Sequence, residues 1–182
     1  MTRALQRIDV AVAVFAILAI GAHDYVHVSE GRYYDVCWVC NVAAALVGPA
    51  ILLRSALLSQ VAMTWLLPGT IVWLADAFVA GSNILPTSYF IHLGGAAAAI
   101  YGVRVNGRVR HGWLAALAML GTCVLFSRFF LPEHANVNAA HGVPAGWSFL
   151  GRTTTSFIVS GLFIVAVCCT GGHFLTRYVA RR

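Results

Sequence analysis

The sequence predicts an all-α protein: an integral membrane bundle of six transmembrane helices, with both termini cytoplasmic and residues 1–182 in a single domain. Hydrophobic residues make up 60% of the chain and charged residues only 10%, whereas soluble domains carry about a quarter charged residues. Six apolar segments approach the roughly 20 residues that a helix needs to cross a bilayer. The basic residues cluster in the gaps that would lie on one side of such a bundle.

The six apolar segments follow one another with polar gaps between them. They are Ile8–Ala22, Val36–Leu53, Leu57–Ala80, Ser88–Val103, Trp113–Leu131 and Thr153–Phe174. The first and fourth are short, and we expect each to extend by a turn into its polar flank. Arg3 and Arg7 precede the first segment as they would in a signal peptide, but a retained helix is the favoured interpretation.

The direction of the bundle follows from its basic residues, which are twelve arginines and no lysine. Three of them, Arg32, Arg128 and Arg152, lie on one side of the predicted bundle. Nine lie on the other: Arg3, Arg7, Arg54, Arg104, Arg108, Arg110, Arg177, Arg181 and Arg182. Because short cytoplasmic loops are rich in Lys and Arg, the sequence predicts a multi-pass protein of the plasma (inner) membrane. The lipid bilayer explains this positive charge, and no nucleic acid partner is expected.

Acidic residues and histidines gather at the opposite, extracytoplasmic side. Except for Asp9, every acidic residue lies there, with five of the seven histidines. Asn41, Asp76 and His92 come from three different segments at a similar depth. A polar group in hydrocarbon is costly and usually faces the bundle interior. We therefore expect a polar pocket that opens outward.

A small polar ligand would occupy this pocket, with Asp76 as its charged centre. Arg128 would pair with Asp76 or Glu133. The loop Pro132–Arg152, which we call the outer loop, would cover the opening. The candidate pocket residues are Asp35, Asn41, Asp76, His92, Arg128, Asn136 and Asn138. The alternative is that these groups only cap and lock helices in a structural subunit, as part of a homo-oligomer or a membrane complex.

Paired histidines offer a second interpretation, a membrane enzyme with a bound metal. His23 and His27 are four residues apart and share one face of a helix. A third imidazole from His92, His134 or His141 would complete a site that suits zinc, copper or iron.

A third interpretation rests on Cys37 and Cys40, a Cys-x-x-Cys pair at the start of a predicted helix. The positive end of a helix dipole favours thiolate, which suits thiol redox chemistry. The pattern is similar to the site of quinone-linked disulfide-forming membrane enzymes. Those enzymes use a second cysteine pair in an outer loop, and the outer loops of this chain contain none.

Several short motifs between residues 35 and 147 resemble those of a group of bacterial multi-spanning integral membrane proteins of unassigned activity. The residues that carry the resemblance are Asp35, Trp38, Cys40, Asn41, Pro68, Trp73, Asp76, His92, Asn136, Asn138 and Gly142. It implies the six-helix fold and draws attention to the polar residues among them, but it implies no function. Ala139 stands where the group tends to have Tyr.

Overall fold

The computed structural model describes residues 5–80, 84–143, 147, 151 and 153–181. Within these residues it is all-helical and without strands, and it contains six helices. The predicted all-α fold is therefore confirmed.

Short connections separate the six helices. One connection contains one 3-10 helix, and another contains two. The bounds of the six helices are Arg7–Ser29 (α1), Val39–Leu52 (α2), Ala56–Ala75 (α3), residues 86–106 (α4), Gly112–Phe130 (α5) and Thr154–Val179 (α6). The 3-10 helices are Tyr33–Cys37 before α2, and Glu133–Ala135 and Val137–Ala139 after α5. Two segments are π-helical: Asp76–Ala80 continues α3, and Phe90–Gly94 lies inside α4 between Pro86–Tyr89 and Gly95–Asn106.

Four stretches of helix are long and apolar enough to cross a membrane. They are Arg7–Ser29, Ala56–Phe78, Gly112–Phe130 and Ile158–Val179. This supports an integral membrane protein. The helix α2 is apolar but has only 14 residues, about 21 Å at 1.5 Å per residue, and the crossings by α2 and α4 stay predictions.

Hydrogen bonds and an ion pair at one end of the bundle show which helix ends lie together. Arg54, in the turn between α2 and α3, donates to Asp9 near the start of α1 at 2.9 Å. Asn106, at the end of α4, donates to the Ala50 carbonyl and to the Ser59 hydroxyl, both at 2.9 Å. We call this the arginine end, because these chain segments contain Arg7, Arg54, Arg104, Arg108 and Arg110.

The opposite end holds the end of α1, the starts of α2 and α4 and the end of α5. There His23 of α1 contacts Thr87 of α4, and Asn138, which follows α5, contacts the start of α2. We call this the histidine end. The first five helices therefore alternate in direction, as the predicted topology requires.

The core is built around α3, and small residues let its neighbours approach closely. Met63 and Leu66 of α3 are fully buried, and the Trp65 indole donates to the Ala116 carbonyl of α5 at 2.8 Å. A Cβ added at Gly48 would lie 2.5 Å from the side chain of Ile17. In contrast, only 6% of the most apolar stretch of α6 is buried, so this helix lies at the periphery.

Candidate functional site

A chain of polar side chains runs through the histidine end from Thr87 to Asp35. Thr87 Oγ1 lies 2.9 Å from His23 Nδ1, and His23 Nε2 lies 3.0 Å from His27 Nε2. His27 Nδ1 then lies 3.4 Å from Asp35 Oδ2. The two histidines occupy adjacent turns of α1, which is the shared face that their spacing predicts.

The middle of this chain is removed from solvent. His23, His27 and Asp35 are only 3%, 5% and 8% exposed, while Thr87 is half-buried. Burying a polar group without a partner costs about 1–3 kcal/mol. Here His23 lies within hydrogen-bond distance of both Thr87 and His27, while His27 Nδ1 makes no hydrogen bond with any described residue. These polar side chains are therefore part of the protein interior.

Asp35 joins the histidines to α2 and to the aqueous surface. Its carboxylate accepts from the Arg32 guanidinium at 2.6 and 2.7 Å and from the Trp38 indole at 3.3 Å. Asn41 donates to the Asp35 backbone carbonyl at 2.9 Å. Two of the predicted pocket residues, Asp35 and Asn41, are therefore brought together, and Arg32 neutralises the buried carboxylate.

His92 lies beside this chain on α4. Its ring stacks on the Trp73 indole with centroids 4.7 Å apart and an interplanar angle of 7°, and its segment, Phe90–Gly94, packs against α1. The Nδ1 atom of His92 is buried and makes no hydrogen bond with any described residue. His92 lies in a π-helical segment, a deviation that is frequent at functional sites.

Asp76 also lies in a π-helical segment, but the structure gives it a different partner from those predicted. Its Oδ1 accepts from the Trp147 indole at 3.0 Å. Among the hydrogen bonds of the described residues, none joins Asp76 to Asn41 or His92. Asp76 as the charged centre of the site stays a prediction, and the buried polar chain described above is formed by His23, His27 and Asp35.

The outer loop is fastened to the bundle by Asn138. Its Oδ1 accepts from the Val39 backbone N–H at 2.8 Å. Its Nδ2 donates to the Cys37 carbonyl at 2.9 Å and to Ser127 Oγ at 3.0 Å. Asn138 therefore joins the start of α2 to the end of α5 and holds this loop at the histidine end.

Asn136 closes the same loop on itself and sets the position of His141. Its side chain accepts from the His141 N–H at 2.8 Å and donates to the Gly142 carbonyl at 3.1 Å. The His141 ring then accepts from Arg128 at 3.0 Å and donates to the Ser127 carbonyl at 3.2 Å. Arg128 therefore contacts His141, whereas we had expected Asp76 or Glu133 as its partner.

Replacing Ala139 with Gly should stabilise the protein by about 1 kcal/mol. Ala139 has a φ of 54°, in the left-handed region that costs a non-glycine residue about 1–2 kcal/mol, and glycine loses part of this advantage through its freedom in the unfolded chain. The measurement is the midpoint of SDS-induced unfolding in mixed micelles. Ala140→Gly, at a right-handed residue of the same loop, is the matched control and should not stabilise.

The described residues contain no group of three His, Cys, Asp or Glu side chains arranged to hold a metal ion. His23 and His27 come together as the metal interpretation expected. Of the proposed third ligands, His134 packs edge-on against Tyr34 and His141 contacts Arg128, whereas His92 stacks on Trp73 and its Nδ1 makes no hydrogen bond with any described residue. The structure thus provides two adjacent nitrogens for zinc, copper or iron, and the expected third from the outer loop is turned elsewhere.

Cys37 and Cys40 lie on either side of the start of α2. Both are free thiols, and Cys40 packs against Gly69, where an added Cβ would lie 2.9 Å from Cys40 Cβ. Thiol redox chemistry at this pair stays a prediction.

Two polar features were missed by reasoning from the sequence. Thr87 is an ordinary polar residue at the start of a helix, and only its contact with His23 distinguishes it. At the arginine end, Asp9 is fully buried and accepts from Arg54 and from the Tyr101 hydroxyl. The sequence does contain a signal for Asp9, because it is the one acidic residue on the predicted cytoplasmic side, among the arginines.

Taken together, the histidine end combines an alcohol, two linked imidazoles, a carboxylate and a neighbouring imidazole with a free nitrogen. Such a set can bind a polar ligand through hydrogen bonds, and it can accept and pass on a proton.

No protein-family model matches the chain, and comparisons with curated proteins and with solved structures return no match.

Proposed function

We propose that the chain is a plasma-membrane protein that crosses the bilayer six times with both termini in the cytoplasm. The four long apolar helices support this proposal, as does the gathering at one end of the bundle of Arg7, Arg54, Arg104, Arg108 and Arg110. Positively charged residues favour the cytoplasmic side. In this orientation the histidine end faces the extracytoplasmic side.

The lengths of the two remaining helices fit this topology. The 3-10 helix Tyr33–Cys37 precedes α2, and at about 2 Å per residue it adds roughly 10 Å to the roughly 21 Å of α2. Residues 86–106 form one continuous helical segment, which is about 30 Å long. Both therefore match a hydrocarbon core of about 30 Å.

We further propose that the histidine end binds a small polar ligand from the extracytoplasmic side. The observation that carries the proposal is the buried hydrogen-bonded pair of His23 and His27. His92 lies in the segment that packs against α1, and its Nδ1 makes no hydrogen bond with any described residue. Polar side chains in a membrane bundle are costly and usually functional. Buried polar atoms in native proteins nearly always have a partner, and a ligand would supply the one that His92 lacks.

The charges around the site restrict the ligand. Asp35 is already neutralised by Arg32, which makes two short contacts with it, so the site carries little net charge for a strongly ionic ligand. The imidazoles and the Thr87 hydroxyl offer hydrogen-bond donors and acceptors. A neutral or zwitterionic molecule with both donor and acceptor groups therefore suits the site better than a multivalent ion.

The test is a thermal-shift screen of the purified protein in lipid nanodiscs with panels of sugars, polyols, amino acids and amines. We expect one class to raise the midpoint of unfolding of the wild type, since a ligand at 100 times its dissociation constant adds about 2.7 kcal/mol. His92→Phe keeps a ring against Trp73 but removes both nitrogens, so the shift should be lost. His134→Phe, at an outer-loop histidine packed on Tyr34, is the matched control and should keep it.

Two results of this screen would count against the binding proposal. One is a wild-type protein that no class stabilises. The other is an equal shift in the wild type and in His92→Phe, which would place the ligand elsewhere.

A further inference from the structure

We propose that Thr87 is a nucleophile that accepts an acyl group from a carboxylic ester, with His23 as its general base. This activity rests on the proposed extracytoplasmic site, because it uses the same imidazole chain. The starting observation is the contact of 2.9 Å between Thr87 Oγ1 and His23 Nδ1, two atoms from residues that are 64 positions apart in the chain.

The tautomers of both histidines follow from one assignment, made at the end of the chain nearest Asp35. Asp35, held by Arg32 and Trp38, is a carboxylate and can only accept. His27 Nδ1 lies 3.4 Å from this carboxylate and makes no hydrogen bond with any described residue; we assign its proton to this side, because the negative charge favours it, which leaves Nε2 of a neutral His27 as an acceptor. His23 Nε2 must then be the donor of the bond between the two rings. His23 Nδ1 is left without a proton, so the Thr87 hydroxyl donates to it.

This order is the one that activates an alcohol. A nucleophile, a base within hydrogen-bond reach and a further group that orients the base form the recurring arrangement of covalent catalysis. Thr87 and His23 take the first two roles. His27 and Asp35 are positioning residues: they hold the tautomer of His23 and stabilise the positive charge that its ring acquires. The 3.4 Å between His27 and Asp35 is long for a hydrogen bond, and such contacts often tighten when substrate binds.

The location of Thr87 indicates the class of substrate. Thr87 is half-buried at the beginning of α4, at the end of the bundle where the membrane meets the extracytoplasmic side in the proposed orientation. Phe90, one turn further along the same face, is 56% exposed, and a large exposed apolar side chain here faces lipid. An ester whose acyl chain lies in the bilayer can therefore bring its carbonyl carbon to Thr87 without leaving the membrane.

The proposed step is balanced within the site and needs no redox partner. Thr87 Oγ forms a bond to the carbonyl carbon of the ester as its proton moves to His23 Nδ1. The bond between that carbon and the alcohol oxygen then breaks, and the leaving alcohol takes the proton from His23. An acyl group remains on Thr87. Water, deprotonated by His23, releases it as a carboxylic acid and restores the hydroxyl.

The experiment uses a fluorophosphonate probe, which phosphonylates activated hydroxyls with loss of fluoride, on the full chain in lipid nanodiscs. Mass spectrometry should place the adduct on Thr87. Thr87→Val should abolish it and Thr87→Ser should retain it. His23→Gln should slow labelling by about 100-fold, since a general base contributes roughly 10²–10⁴. Asp35→Asn should leave the adduct on Thr87 but change the pH dependence of its formation, as expected of a positioning residue.

The control is Ser88→Ala, which removes the neighbouring buried hydroxyl and should label as the wild type does. Failure of the probe to modify Thr87, or equal rates for the wild type and His23→Gln, would overturn the proposal. The thermal-shift screen separates this outcome from a failure of the proposed function. If ligands stabilise the protein but the probe does not modify Thr87, the binding proposal stands and only the assignment of Thr87 as a nucleophile is wrong.

Discussion

Replacing Asp9 with Ala should lower the free energy of unfolding by about 2–3 kcal/mol, one of the two largest effects expected in this protein. Asp9 is fully buried, accepts from the Arg54 guanidinium at 2.9 Å, and also accepts from the Tyr101 hydroxyl. Removing one partner of a buried ion pair costs about 3–5 kcal/mol because the other charge stays uncompensated. The Arg54 side chain retains 14% exposure, so water offsets part of that loss.

The measurement is SDS titration of the purified protein in mixed micelles, with a comparison of unfolding midpoints. Glu30→Ala is the matched control, since Glu30 forms an exposed ion pair with Arg32 at 3.6 Å, and such pairs contribute about 0–1 kcal/mol. The role assigned to Asp9 is wrong if its removal costs no more than the removal of Glu30.

The positions of the helices were largely predictable from hydropathy. The predicted segment Trp113–Leu131 differs by one residue at each end from the observed helix Gly112–Phe130. Helix α1 differs more, since it runs to Ser29, seven residues beyond the predicted Ala22. His23, Asp24 and His27 ended the apolar run, but Thr87 and Asp35 provide the two histidines with buried partners, and the helix continues.

The site was predictable only where its residues are neighbours in the chain. The shared face of His23 and His27 follows from the helical repeat of 3.6 residues. In contrast, the partner of His23 is 64 residues away, and those of Asn138 are 99 and 101 residues away. Hydropathy predicts that such residues lie at the same depth in the membrane, but it does not predict which helices are adjacent. The prediction of Asp76 as the centre of the site therefore rests on depth alone.

At the arginine end, too, the sequence does not tell which residues from different helices are in contact. The position of Arg54 between two apolar runs agrees with the positive-inside rule, which treats an arginine as a charge at the membrane surface. The structure shows that this arginine is also the partner of Asp9. One side chain thus supports the proposed orientation and also stabilises the fold, and only the second role requires knowledge of the tertiary structure.

Replacing Asn138 with Ala should destabilise the protein by about 3 kcal/mol and loosen the outer loop. Three hydrogen bonds are lost, to the Val39 N–H, the Cys37 carbonyl and Ser127 Oγ. Each contributes about 1 kcal/mol. Ala also tolerates the left-handed φ of 56° less well than Asn does. Hydrogen exchange should become faster at Val39, because its N–H loses its acceptor.

Asn138→Gly separates the contribution of the hydrogen bonds from that of the backbone conformation. Glycine adopts the left-handed conformation readily but lacks the side chain. We expect it to lose the same three hydrogen bonds while avoiding the backbone strain, so it should be less destabilised than Asn138→Ala by about 1 kcal/mol. Asn136→Gly, which breaks only contacts within the loop, should leave exchange at Val39 unchanged. Equal stability of Asn138→Ala and the wild type would show that Asn138 does not hold the loop to the bundle.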